Sequence, residues 1–441
     1  MNVRIALVTI AAAFLSACSA AGSGSPAGIG ASESSIAASA SGPPQYHVRL
    51  LNGFPGTLSG AASINERGWM MGFGTQAGNT VSHAAIWGDG APKDLGTLGG
   101  PSSAIAWPNL NDFGMAAGIS EKAETNPYNE PWSCWVFFPY TSPSYHECAG
   151  FRWQANRMVE LATLGGPDGY AAGTNAEGQI VGWAENTTQD PTCDSGQVLQ
   201  FKPVFWDSRG VIHQLSTLPG DPDGAATAAN DSGQIVGISG TCDQAVGRFT
   251  AAHPVVWNHG VVRQLFSVNS VSWNTPSAVN QSGAVAGFIN MPGGGDQQGQ
   301  LQPIAFLWTH GAGLTQIAPL TGDAYSMGEG LNDEGDVVGA SYGANFSTVR
   351  AFLYHKGKAY DLNALTAPGS PYLLVANAID DRGTIVGQAV DPNTGDVLAF
   401  SASLPSDSQL RDAQLQPGAA VRPARLAIGE RYRLLLRGAL H

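Results

Sequence analysis

The sequence predicts an all-β protein, a seven-bladed β-propeller of four-stranded antiparallel blades closed by its N-terminal strand. Three observations carry this prediction. A hairpin-turn signature recurs seven times, a short strand with an aromatic fifth position follows six of the seven copies, and the copies begin about 50 residues apart. Four short strands repeated at that period make a propeller blade. Composition agrees. The 441 residues include 57 Gly and only 12% charged residues, about half the usual share, which suits a β protein with many tight turns. A formal net charge of −13 argues against nucleic acid as a partner and against docking on an anionic membrane surface.

The chain begins with an address. Arg4 supplies a positive region, and the apolar run Ile5 to Leu15 is too short to span a bilayer but fits a signal peptide. Leu15-Ser16-Ala17-Cys18 resembles a bacterial lipobox. By that resemblance Cys18 is lipidated and becomes the mature N-terminus, and Ser19 after it favours the outer membrane or cell surface. Residues 1–18 are therefore read as a lipoprotein signal peptide, with membrane attachment through Cys18; an ordinary secretory signal is the alternative. Residues 19–44, rich in Ala, Ser and Gly, read as a flexible tether with a root-mean-square span of roughly 28 Å.

Residues 45–405 are the predicted propeller. The signature is Asn-x-x-Gly with a second Gly four residues on, beginning at Asn65, Asn111, Asn175, Asn230, Asn280 and Asn332, with a variant at Asp380. Asn closes an Asx-turn with its side chain, and Gly at the fourth place supplies positive φ, so each copy is a hairpin tip. The aromatic strands follow at residues 83–87, 149–153, 202–206, 253–257, 304–308 and 350–354, with a last, non-aromatic copy at 398–402. From each of these strands to the next Asn turn the distance stays between 26 and 30 residues; from Asn turn to strand it ranges from 18 to 38. Length variation is thus confined to the connection between the second and third strands. One face of the propeller is standardised and the other, carrying the variable loops, is diversified. The seventh copy lacks a fourth strand, and Leu50 lies 15 residues before Asn65, as Leu215, Leu265 and Ile317 lie before their own Asn residues. The N-terminal strand is expected to complete the last blade and leave no open sheet edge.

These residues resemble the bacterial extracellular HAF-repeat proteins, named for a His-Ala-Phe triplet ahead of an aromatic. His83-Ala84 with Trp87, Ala351-Phe352 with Tyr354, the Asn-x-x-Gly-x-Ile-Val-Gly turn and the LGTLGG segment at 95–100 carry the resemblance over about residues 46–404. Pro203, Pro254 and Ala402 depart from it. It implies an extracellular repeat protein and no particular catalytic residues or ligand.

Beyond Cys18, Cys134, Cys148, Cys193 and Cys242 remain, and an even number in an exported chain reads as disulfides. Pairing Cys134 with Cys148 closes the longest variable loop; Cys193 and Cys242 lie in equivalent loops of adjacent blades and can cross-link them. The same long loop holds Trp132, Trp135, Phe137, Phe138, Tyr140 and Tyr145. Two readings stay open: a stiffened platform for sugar rings or a partner's apolar surface, or a cap over the central channel. Tyr170, Trp273 and Tyr325, placed in inter-blade connections of that face, extend the surface in the first reading.

Little catalytic chemistry stands out. Ser341 lies in a Gly-x-Ser-x-Gly match, but the nucleophile elbow needs a strand-to-helix turn and no helix follows here. His259, His310 and His355 read as hairpin-turn residues; Asp168, Asp221 and Asp223 read either as a carboxylate group on the variable face or, more simply, as turn formers there. No metal site and no cofactor are expected. Residues 406–441 form an Arg-rich tail, read either as disordered or as holding a short basic helix. The function expected is recognition of a surface glycan or protein through the variable-loop face by a monomeric, lipid-anchored protein. A structural envelope scaffold and a propeller-type hydrolase or lyase are the alternatives, since fold alone does not decide.

Overall fold

The computed structural model describes residues 45–405 apart from 52, 89–90, 110, 131–133, 135–136, 139–143, 192, 194–195, 243–250, 268–272 and 292–301, together with Leu415. The expected signal peptide, Cys18, the tether and nearly all of the Arg-rich tail lie outside the described residues. Seven four-stranded antiparallel sheets are present, and in six of them the strands follow chain order. In the seventh, His47–Leu50 forms the outer strand beside Val397–Ser403, with Leu50 opposite Phe400. The N-terminal strand thus closes the ring as its sequence register predicts.

Each Asn turn joins the first strand of its blade to the second, as in Ser59–Ile64 to Met70–Thr75. The two glycines of the signature serve different needs. The first, at Gly68 and its six equivalents, holds φ between 78° and 84°, which L side chains rarely adopt. The second, at Gly182 in blade three, lies against a carbonyl of the first strand: a Cβ there would sit 1.9 Å from the Tyr170 oxygen. Comparable approaches occur at Gly72, Gly118, Gly237, Gly287, Gly339 and Gly387. In six blades a register shift next to this point presses the first strand onto the second.

The Asn side chains also join the blades. Asn65 Nδ2 donates to the Asn111 carbonyl at 2.9 Å, and Asn111 donates to Asn175 at 3.0 Å. Asn175, Asn230, Asn280 and Asn332 pass the bond on to the Asp380 carbonyl. The Oδ1 of each Asn meanwhile accepts a backbone N–H four residues ahead, closing its own turn. Asp380 has no amide to donate; its carboxylate binds Arg382 instead.

Apolar third strands seal the clefts between sheets. Trp87, Trp153, Trp206 and Trp257 are buried there, and the Trp206 and Trp257 indole N–H groups donate to the carbonyls of Ala162 and Ser216. Small residues on the first strands bring the sheets close around the axis. A cavity of about 20 Å³ lies among the ends of the first strands, lined by Ile64, Ala228, Ala278, Gly330 and Ala378 among others.

Candidate functional site

The variable face is built from the connections between second and third strands. These are short in blades one, six and seven, and long in blades two to five. Both expected disulfides are present on this face. Cys134–Cys148 closes the blade-two loop, and Cys193–Cys242 ties the loop of blade three to that of blade four.

Among the described residues, aromatic side chains from these loops and from the first strands pack together. Phe137 stacks on Tyr170 with ring centroids 4.7 Å apart, and Trp107 meets Tyr170 edge-on at 6.2 Å. From blade six, Phe346 stacks on Tyr325 at 5.0 Å and packs edge-on against Tyr342. Trp273 and Phe346 hold positive φ, 76° and 52°, an uncommon backbone for a bulky residue, and both rings are buried. Phe137, Phe138, Tyr170, Trp273, Tyr342 and Phe346 belong to one buried cluster that reaches around all seven blades.

This placement corrects part of the sequence reading. Phe138, Tyr170 and Trp273, expected to present ring faces, are 6%, 2% and 3% exposed. Tyr170 lies within the strand Gly165–Thr174 and not in a connection, so packing against Phe137 and Trp183 consumes its ring. Tyr325 opens the strand Tyr325–Leu331 and is half-buried. Tyr145 is 46% exposed, and Tyr128, at the start of the same loop, is 40% exposed. Trp132, Trp135 and Tyr140 lie outside the described residues.

Beside the aromatic cluster lies a set of buried carboxylates that sequence reasoning largely missed. Glu130, Asp168 and Glu185 are fully buried and bring carboxylate oxygens within 4.8 Å of one another. Glu130 Oε1 accepts the backbone N–H groups of Val198 and Leu199, at 2.6 and 2.8 Å, pinning the blade-two loop onto blade three. Asp168 accepts from Cys148 N and Asn126 Nδ2, while Glu185 accepts from Gln197 Nε2 and Asp168 N. Burial, then repulsion from Asp168 and Glu130, pushes the Glu185 carboxyl well above its ordinary range; burial likewise raises Glu130. Oxygen sets of this kind suit a hard cation, but here every carboxylate oxygen of the three already accepts a hydrogen bond. The network acts as an anchor for the loops. In a chain with so few charges, acids within or beside strand patterns were the available signal.

Asp223 occupies the same repeat position as Asp168, seven residues before its Asn. Both are buried strand residues and not turn formers: each accepts a backbone N–H from the third strand of the preceding blade. Burial is the main cause that lifts the Asp223 carboxyl to about 7, while Phe201 N–H and the Lys202 charge oppose it. Asp221 does lie in a turn, where it binds His253 and Ser239. Ser341 is buried in a strand and donates to Asp323, away from any helix. His259 and His310 sit in hairpin turns as expected, but His355 ends a strand and is buried.

No family model matches the chain, and no curated protein matches it. Several solved structures are similar in architecture. A streptogramin B lyase shares 11% identity at a TM-score of 0.46, over 82% of this chain and 98% of that one. A catalytically inactive virginiamycin B lyase from Staphylococcus aureus, solved with quinupristin, shares 13% at 0.45, over 82% and 100%. A puromycin hydrolase shares 14% at 0.42, over 82% of this chain and 52% of its own. At these identities and scores the similarity lends this chain neither a substrate nor a reaction.

Proposed function

We propose that this propeller is a recognition protein held outside the cytoplasmic membrane by acyl chains on Cys18, and that its variable-loop face binds a surface glycan or a surface protein. The observation that carries this reading is the buried aromatic cluster beside loops tied by two disulfides. Aromatic rings from the loops and the first strands pack into one buried cluster, and two disulfides constrain the loops of blades two, three and four. Loops held in place by disulfides suit an extended or macromolecular ligand, because less ordering is left to occur on binding. The buried carboxylates are engaged by backbone N–H groups and by the Asn126 and Gln197 amides, which supports binding over acid–base chemistry.

Exposed Tyr128 and Tyr145 give this face amphipathic rings on the longest loop. Glycan arrays and isolated cell-envelope fractions presented to the purified protein test the proposal. Tyr128→Ala with Tyr145→Ala, and separately Trp132→Ala with Trp135→Ala, are expected to weaken binding about tenfold or more, since one aromatic contact is worth roughly 1 kcal/mol. Unchanged binding in both pairs would remove the aromatic loop from the site.

A further inference from the structure

The chain returns to the propeller after completing its last blade. Ile385, shortly after the Asp380 turn, pairs with Ala402, and Ser403 pairs with His47. The chain therefore leaves blade seven at the Asn-turn end of the ring. Further on, Leu415 is buried again, at 8% exposed, in the apolar cluster between blades six and seven. That cluster also holds Tyr46, Leu362, Leu365 and Phe400, with Val48 and Leu50 of the closing strand packed against it. The closing strand is only four residues long, His47–Leu50, and exposes His47 and Arg49. Burial, then the charges of Asp336 and Asp380, raises the Tyr46 phenol, so this cluster reaches down to the turns of blades six and seven.

Those turns are acidic. Counted from each Asn, or from Asp380, through the next four residues, the seven turns hold nine Asp or Glu and two Arg. Blades six, seven and one bring theirs together: Asp333 N donates to Asp381 Oδ1, and Asp381 N donates to Glu66 Oε1. Glu66, Asp333, Glu334 and Asp381 are all exposed there, while Arg382 is engaged by Asp380. The sequence after Leu415 has the opposite character. It carries Arg422, Arg425, Arg431, Arg433 and Arg437 against a single acid, Glu430.

We propose that the acidic turns of blades six, seven and one are a docking surface for the chain's own residues 416–441, which lie outside the described residues. Leu415 anchors this strap beside the closing strand, and its arginines lie against Glu66, Asp333, Glu334 and Asp381. The anchor keeps the first arginine close: the seven residues from Leu415 to Arg422 span at most about 25 Å when extended. Guanidinium groups match carboxylates in geometry as well as charge. One exposed ion pair contributes little, but several on a segment already tethered at Leu415 form without a further loss of translational freedom. The strap would fasten the ring a second time, next to its short closing strand. It occupies the end opposite the variable loops, so it is independent of the recognition role proposed for them.

Hydrogen–deuterium exchange of the whole protein tests this, at low salt and at about 1 M salt, where the screening length falls to about 3 Å. Arg425→Gln, Arg431→Gln, Arg433→Gln and Arg437→Gln together should speed exchange of the turns at 332–335 and 380–383 about fivefold or more at low salt. Lys at the same four positions should keep most of the protection, because the charge remains. High salt should expose the same turns in the parent and change nothing further in the Gln variant. Leu415→Asp should release the anchor, and should speed exchange in His47–Leu50 as well as in the turns. The strand Ile235–Gly240 of blade four reports that the fold is intact and should exchange alike in every variant. Should the Leu415 variant fail to fold, the Gln variant and the salt response of the parent still decide. If the Gln variant exchanges like the parent in both turns at low salt, the proposal is overturned. It is overturned equally if protection is lost from the variable loops and not from these turns, which would place the tail on the other face.

Discussion

Asp223 shows how a repeat position acquires an ionisable group and, with it, a pH-dependent contribution to stability. Its Oδ1 accepts the Phe201 N–H at 2.9 Å, a bond that joins blade three to blade four, while its Oδ2 is buried without a partner. With the folded-state pKa lifted to about 7 from an ordinary 3.8, the folded protein holds the proton that the unfolded chain releases. The stabilisation is therefore full below pH 3.8 and is lost as pH rises towards 7. Asp223→Asn keeps the acceptor and removes the charge. It is expected to raise stability at pH 8 by up to about 4 kcal/mol and to change little near pH 4. Chemical denaturation at both pH values measures this; equal effects at the two would contradict it. The raised carboxyls of Glu130 and Glu185 push the wild-type curve in the same direction.

At the scale of elements, the Asn turn is a hairpin tip and an inter-blade clasp at once. The sequence alone revealed the first role, because an Asx-turn is a local feature. The second depends on a carbonyl 46 to 64 residues away and was not legible. Asn230→Ala removes the Oδ1 acceptor of the buried Gln234 N–H and the amide that donates to the Asn280 carbonyl, a loss of about 2–3 kcal/mol. Asn230→Asp keeps the turn but not the clasp, and should fall between Ala and the parent in thermal unfolding. The variable loops divide in a similar way. Cysteine parity and loop equivalence were readable, whereas the carboxylate anchor was hidden because Glu130, Asp168 and Glu185 are far apart in sequence and meet only when blades two and three pack. Cys193→Ser with Cys242→Ser opens a covalent loop of 49 residues and is expected to lower stability by about 4 kcal/mol in the chain-entropy model. Unfolding of oxidised parent and variant measures the difference, and no change would mean that packing alone holds the two loops.

At the scale of the molecule, seven blades, their order and the closing strand were legible because each blade repeats the same local chemistry and Leu50 keeps the register of a fourth strand. The fate of the aromatic residues was not. Whether a ring in a loop faces solvent or the axis depends on how far its blade tilts and on what its neighbours leave unfilled, which no local pattern encodes. Tyr170 and Trp273 consequently became part of the buried aromatic cluster, while Tyr128, which had not been singled out, emerged on the surface. The proposed recognition role rests on the variable-loop face beside this cluster. Hydrogen–deuterium exchange of the whole protein with and without cell-envelope fractions is its most direct test. Slowed exchange is predicted in the loops at 126–130, 144–148 and 190–198 of the variable face. Envelope binding with no protection in any of these loops would contradict it.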